Sequence, residues 1–260
     1  LDCDIRGFFD NLSHDWLLKF VQHRVADRRI LRLIQKWLKA GVLEEGEWKD
    51  TEMGTPQGSV ASPLLANIYL HYVFDLWADA WRKKCARGEV VVVRYADDNV
   101  IGFQHLADAD RFLMEFRERL LKFGLELHPD KTRRIEFGRF AEQDRKQRGE
   151  GKPEAFDFLG FTHISGKDRN GSYALKRKSM NKRMRAKLLE IKQQLRRRMH
   201  EPVAQTGQWL RSVVQGYFNY HAVPGNADSL ATFRSRAIRL WRSMLIHRGG
   251  KRDLTWARMS

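Results

Sequence analysis

The sequence predicts an α+β fold: a small antiparallel sheet with packed helices over residues 1–170, followed by an all-helical domain over 171–260. Three observations predict it. Short β-branched and aromatic runs mix irregularly with helical spacing through the first 165 residues, with no internal repeat. From Ser179 onward three helical patterns follow one another, split by Pro202 and by Pro224-Gly225, so the change of texture lies near 166–178. The charge divides at the same place. Residues 166–260 hold 22 Lys and Arg against 5 Asp and Glu, while residues 1–165 hold 26 against 27.

The elements follow in order. Leu1–Ile5 reads as a short strand. Ser13 can cap a helix to about Val25, and Asp27 a second with Ile30, Leu31, Ile34, Trp37 and Leu38 at helical spacing and Gly41 as its stop. Residues 42–53 read as a hairpin turning near Glu45-Gly46. Ser62-Pro63 supplies an N-cap and a first-turn proline for a helix from Leu64 to about Lys84. Glu89–Arg94 is the clearest strand, with a buried-looking β-branched run at Val90–Val93, returning through Asn99–Gln104 with Ala96-Asp97-Asp98 at the tip. A helix from Ala107 to Phe123 places Phe112, Leu113, Phe116, Leu120 and Phe123 on one face, and Gly124 stops it. Residues 138–154 read as a loop, and Phe156–Ile164 and Ser172–Lys176 as strands around a turn at Gly166–Gly171. The last three helices are expected at 180–199, 203–221 and 227–247.

Composition bounds the function. With 260 residues, 42% hydrophobic and 31% charged, the chain can bury a core and is not mainly disordered. Apolar stretches are broken by charge well before 18 residues, so no transmembrane helix is indicated, and no signal peptide is visible. Cys3 and Cys85 are too few for a disulfide framework or a structural zinc cluster, so reduced thiols are expected. The net charge of +16, all of it in the C-terminal third, points to a polyanion, and nucleic acid is the usual one. The chain opens at Leu1 directly on strand-like sequence, and a fragment of a longer protein is expected.

Three segments carry chemistry. In Tyr95-Ala96-Asp97-Asp98, adjacent carboxylates at a hairpin tip raise each other's pKa unless a cation compensates, and a hard divalent ion such as Mg²⁺ does so. In Asp4-Ile5-Arg6-Gly7-Phe8-Phe9-Asp10, Asp4 ends a strand and can project from a sheet edge. If that strand lies beside the hairpin, Asp4 and Asp97 can share two metal ions, the arrangement that activates a 3′-hydroxyl and stabilises leaving pyrophosphate. Asp2 points to the same face, and periodicity does not choose between Asp2 and Asp4. In Thr55-Pro56-Gln57-Gly58-Ser59-Val60-Ala61-Ser62-Pro63, Gly58 permits close backbone approach and the helix start presents amides, which fits a surface for nucleotide and template.

These segments, in this order and spacing, resemble the reverse transcriptase family. Gly124-Leu125-Glu126-Leu127-His128-Pro129-Asp130-Lys131-Thr132 is similar to its lysine-bearing segment, and Phe158-Leu159-Gly160-Phe161 to its primer-gripping hairpin. The basic C-terminal third, with Lys176-Arg177-Lys178, Gly216-Tyr217-Phe218-Asn219-Tyr220, Leu240-Trp241 and Thr255-Trp256, resembles the thumb or maturase domain of group II intron proteins, as does Phe8-Phe9-Asp10-Asn11-Leu12-Ser13-His14. His247-Arg248-Gly249-Gly250 departs from the more basic, glycine-poor stretch of that family, and no cysteine-histidine endonuclease module is visible.

The resemblance implies a polymerase palm over 1–170 and a helical thumb or maturase domain over 171–260. It implies RNA-directed DNA synthesis with two Mg²⁺ ions, Mn²⁺ being able to replace them, on Asp4, Asp97 and Asp98, and Lys131 as the group that protonates or neutralises pyrophosphate. Arg6, Gly7, Phe8, Phe9, Gln57 and Gly58 would line the incoming nucleotide, with Phe9 excluding a 2′-hydroxyl; Phe158, Leu159, Gly160 and Phe161 would grip the primer. The implied partners are group II intron RNA, a DNA primer or target and dNTPs, with no membrane. The implied location is the bacterial cytoplasm, or an organelle where an upstream segment carries targeting information. In this family the fingers precede the segment that begins here at Leu1. The rival expectations are a non-catalytic RNA-binding splicing factor and a retron-like reverse transcriptase; the intact Asp4, Asp97 and Asp98 oppose the first, and the basic helical C-terminus opposes the second.

Overall fold

The computed structural model describes residues 1–40, 42–44, 47–49, 53–55 and 60–249. The Glu45-Gly46 turn, Gln57, Gly58 and the Thr255-Trp256 pair lie outside the described residues. The chain divides into two compact units, Leu1–Arg134 and Ile135–Ser260.

In the first unit, β1 (Asp2–Cys3) leads into α1 (Phe8–Asn11), α2 (His14–Gln22) and α3 (Arg28–Leu38). The expected caps are present: Ser13 Oγ accepts from the Trp16 amide at 3.5 Å, and Asp27 Oδ1 from the Arg29 amide at 2.8 Å. Strands β2 (Val42–Glu44) and β3 (Glu47–Lys49) pair antiparallel. Next come α4 (Ser62–Leu70), a π-helical turn at His71–Asp75, and α5 (Leu76–Lys84). The single helix expected over Leu64–Lys84 thus carries a π turn, and Ser62 is its first helical residue rather than its cap. The Arg119 guanidinium crosses from α6 (Leu106–Leu121) to donate to the Tyr72 and Val73 carbonyls at 3.0 Å each, satisfying backbone oxygens at the turn.

The sheet order is β1-β5-β4, with β4 at Val90–Tyr95 and β5 at Asp98–Phe103. The buried-looking valine run is half-buried: β4 is an edge strand, and Val91 and Val93 face outward at 60% and 44% exposure. Beneath the other face lies an aromatic core in which Phe74, Trp77, Trp81, Phe112 and Phe116 make ring contacts 4.9–5.7 Å apart. The Tyr69 hydroxyl donates to the Phe123 carbonyl at 2.8 Å inside it, and burial pushes that phenol up to about 12.

In the second unit, the expected 138–154 loop contains α7 (Ala141–Gln147), and the expected Phe156–Ile164 strand is two strands, β6 (Phe156–Phe158) and β7 (Phe161–Lys167). Alternation alone does not reveal that break, because Leu159-Gly160 reads as strand until both residues take positive φ, 48° and 81°. With β8 (Tyr173–Ser179) they form a sheet ordered β6-β7-β8. Helices α8 (Asn181–Arg197), α9 (Val203–His221) and α10 (Ala227–Gly249) follow close to their expected bounds. Met184, Leu188, Ile191 and Leu195 recur at helical spacing on α8 and bury against Leu210, Tyr217, Phe233, Ala237 and Met244. Gly207 lets the Trp241 ring approach closely; a Cβ there would sit 3.1 Å from it. Fully buried Asn226 ties β8 to this bundle, accepting from the Ser179 amide at 3.0 Å and donating to Ser179 Oγ at 2.9 Å and the His221 carbonyl at 2.8 Å. These bonds explain why the compact units divide at 134/135, ahead of the change of texture near 166–178: the β6-β7-β8 sheet packs with the helices that follow it.

Candidate active site

The site is built where β1 meets the β4–β5 hairpin. Asp2 pairs with Val100 and Cys3 with Asn99, and continuing that antiparallel register by one residue brings Asp4 level with Asp98. Tyr95 pairs with Asp98, leaving Ala96 and Asp97 as a two-residue turn. Asp4 and Asp98 are therefore level in register, next to the turn that carries Asp97. The neighbour of β1 is the return strand β5 rather than the valine strand β4.

Ala96 adopts φ 54°, a conformation that costs an alanine on the order of 1 kcal/mol. Side chains hold both turn carbonyls. Arg94 Nη1 donates to the Ala96 carbonyl at 2.9 Å, and Asn99 Nδ2 donates to the Asp97 carbonyl at 2.7 Å.

The 126–133 segment runs beside the first strand. The His128 amide donates to the Asp4 carbonyl at 2.8 Å, the Arg6 amide to the Glu126 carbonyl at 2.8 Å, and Asp2 and Arg133 exchange backbone bonds at 2.9 and 2.8 Å. This pairing brings Lys131 Nζ to Asp4 Oδ2 at 3.0 Å and Arg133 to Asp2 Oδ2 at 3.2 Å. The two candidate carboxylates thus have different cations. Burial raises the Asp2 carboxyl above the usual aspartate range, against the opposing pull of Arg133.

Phe8 and Phe9 divide as one inward and one partly outward ring. Phe8 is buried, and Phe9 is half-buried with its ring 5.3 Å from that of Phe8. Gly7, at φ 51°, starts α1 and is exposed, as is Arg6. The chain leading to Gln57 is tied to Phe9: the Thr55 amide donates to the Phe9 carbonyl at 2.8 Å, the Gly54 amide to the Leu12 carbonyl at 2.7 Å, and buried His14 bonds the Gly54 carbonyl at 2.6 Å. A Cβ on Gly54 would lie 2.7 Å from the Phe9 carbonyl, so the approach requires glycine.

The Phe158–Phe161 pair closes the second hairpin around Leu159 and Gly160. The Tyr220 hydroxyl donates to the Leu159 carbonyl at 2.8 Å, and its ring stacks on Phe161 at 5.8 Å. This hairpin belongs to the second compact unit, and the carboxylates to the first. Tyr217 is a core residue stacked on Phe233 at 3.7 Å, whereas Tyr220 stays 54% exposed.

Oxygen donors at one sheet end suit a hard divalent cation. Among the described residues, however, no three His, Cys, Asp or Glu side chains are gathered closely enough to hold a metal ion; Asp4 is turned to Lys131. The arrangement offers a carboxylate edge with an adjoining ammonium, suited to a reaction that moves negative charge.

The family model for reverse transcriptase (RNA-dependent DNA polymerase) matches residues 1–163. The chain belongs to the reverse transcriptase family. Over 68 residues it is 50% identical to the group II intron-encoded protein LtrA of Lactococcus lactis, covering 26% of this chain and 11% of that protein. Over 128 residues it is 33% identical to protein YkfC of Escherichia coli, covering 39% of this chain and 33% of the relative. A 91 kDa protein in the cob intron of Schizosaccharomyces pombe is 46% identical over 71 residues, covering 27% of this chain and 9% of the relative. The chain thus spans a third or less of the length of these curated relatives. Apo telomerase from Candida tropicalis, truncated from its C-terminal domain, matches over 68% of this chain and 34% of the other at 15% identity and TM-score 0.48. Among the described residues, no helix is long and apolar enough to cross a membrane.

Arg94 and Asn99, which hold the Ala96-Asp97 turn, and Asp75 and Asn67, which hold Arg94, carry no motif signature. A signal for Arg94 existed: Val90, Val92 and Arg94 share the less exposed face of β4, and a charge on that face needs a partner.

Proposed function

We propose that the chain carries the polymerase centre of a group II intron reverse transcriptase, extending a DNA primer on RNA and binding the intron RNA as a maturase. The observation that carries the reading is the β1–β5 register, which aligns Asp4 with Asp98 beside Asp97 in a chain of this family. Asp4, Asp97 and Asp98 would hold two Mg²⁺ ions, with Mn²⁺ able to replace them; bound there, they supply charge neutralisation for 3′-hydroxyl attack and pyrophosphate departure.

The chain's own residues do the rest. Lys131 holds Asp4 in this structure and would turn to the pyrophosphate as it leaves, donating a proton or neutralising it. Arg6, the Gly7 and Phe8 amides, Gln57 and Gly58 would line the triphosphate and base, and the half-buried Phe9 ring would lie under the sugar, where a 2′-hydroxyl collides with it. Phe158, Leu159, Gly160 and Phe161 would grip the primer. We divide the chain into a palm over 1–170 and a basic, mainly helical thumb over 171–260; the palm then takes in β6 and β7 of the second compact unit, and the thumb opens on β8 and is not all-helical as expected. The basic excess of the thumb suits phosphate contacts along RNA.

The test is primer extension on an RNA template by the full-length gene product and its Asp97→Asn variant. We expect extension to fall by about a thousandfold or more, several kcal/mol of barrier, with RNA affinity unchanged. Near wild-type extension by Asp97→Asn would remove the carboxylates from the reaction. RNA binding without extension in the unaltered protein would favour the splicing-factor reading.

A further inference from the structure

Arg94 makes four side-chain hydrogen bonds in three directions. Its Nε and Nη2 form a two-pronged pair with Asp75 at 2.7 and 2.6 Å, and Nη1 donates to Asn67 Oδ1 and to the Ala96 carbonyl, each at 2.9 Å. The side chain is only 13% exposed, so the fork is largely out of water. Its partners come from separate elements. Asn67 lies on α4, Asp75 closes the π turn, and Ala96 is the strained first residue of the turn that carries Asp97.

We infer that Arg94, held by Asp75 and Asn67, is a positioning residue for the Ala96-Asp97 turn. The inference rests on the polymerase reading above, and it adds residues that touch neither substrate nor reacting atoms. The geometry explains why arginine is needed. The planar fork satisfies both Asp75 oxygens while its remaining donors reach Asn67 and Ala96; a lysine ammonium can pair with Asp75 but lacks that fixed fork. A turn containing alanine at positive φ persists only when its surroundings over-determine it. Here Arg94 holds the carbonyl before Asp97, and buried Asn99 holds the carbonyl of Asp97 itself. The π turn has a role in this arrangement: it ends at Asp75, the residue that anchors the guanidinium.

The experiment compares Arg94→Lys and Asp75→Asn with the unaltered full-length protein. It uses single-nucleotide extension kinetics and amide hydrogen exchange of the protein without substrate. We expect kcat to fall about 10- to 100-fold, the scale of an ångström misplacement, with KM for dNTP changed less than about twofold. Exchange should quicken at residues 95–99 while the α6 core around Phe112 and Phe116 stays protected. The two variants share one network, so the double variant should be no slower than the slower single one. Unchanged kcat and unchanged exchange at 95–99 would overturn the inference. Loss of α6 protection in parallel with activity, in both variants, would also overturn it by making the clamp general packing. Asp97→Asn separates the two levels: if it extends primers normally, the polymerase reading fails, and exchange at 95–99 still decides whether Arg94 holds the turn.

Discussion

Two hairpin tips, one in each compact unit, are built alike and held differently. Each is a two-residue turn, Ala96-Asp97 and Leu159-Gly160, and these tips hold the two non-glycine residues at positive φ among the described residues, Ala96 at 54° and Leu159 at 48°. At each, a side chain outside the turn donates to the strained residue's carbonyl. The first is held by an arginine fixed by a carboxylate, the second by the Tyr220 phenol, whose ring also stacks on Phe161. The first tip presents carboxylates and the second presents apolar side chains and backbone. Similar local strain is thus held by an ionic fork beside the carboxylates proposed to hold metal, and by an aromatic donor where contact with a polymer backbone is proposed.

That contrast can be broken from either side. Tyr220→Phe removes the bond to Leu159 and keeps the stack. We expect about 0.5–1.5 kcal/mol of lost stability in the second unit and a several-fold drop in primer affinity, read by thermal melting and by primer titration. Unchanged values in both would leave the Leu159 turn held by its strands alone. A smaller effect sharpens the shared feature. Ala96→Gly and Leu159→Gly each relieve positive-φ strain while adding unfolded-state entropy, so stability should rise by under about 1 kcal/mol at Ala96. It should rise less at Leu159, which also loses a half-buried side chain. A fall in melting temperature for Ala96→Gly would contradict the strain.

Much of this was legible in the sequence, for physical reasons that differ by element. Caps at Ser13 and Asp27 are local bonds, so residue type alone reveals them. The C-terminal helices are long and periodic, and their bounds shift by a few residues only. What depended on partners far along the chain was not legible. The π turn at His71–Asp75 lies within uninterrupted helical composition, and two of its carbonyls, Tyr72 and Val73, accept from Arg119 on α6. The Leu159-Gly160 break lies within a strand-like run and is fixed in part by Tyr220, which is remote in sequence. The valine strand reads as buried by composition, yet whether a strand is central or at an edge is a property of the sheet. At the candidate site, motif resemblance points to Asp4, Asp97, Asp98 and Lys131, while Arg94 and Asp75 lie 19 residues apart and no local pattern pairs them.

The central claim is that register, and not mere acidity, selects the carboxylates. Asp2 and Asp4 stand two residues apart at the same sheet edge and each pairs with a cation, Arg133 and Lys131. Only Asp4 comes level with Asp98. The direct measurement is single-nucleotide extension by Asp2→Asn and Asp4→Asn in the same full-length protein. The Asp2 pair is partly solvent-exposed and worth under about 1 kcal/mol, so Asp2→Asn should melt near wild type and extend within about twofold of it. Asp4→Asn should fold equally well and lose extension by about a thousandfold or more. Equal losses in the two variants, or loss confined to Asp2→Asn, would contradict the account.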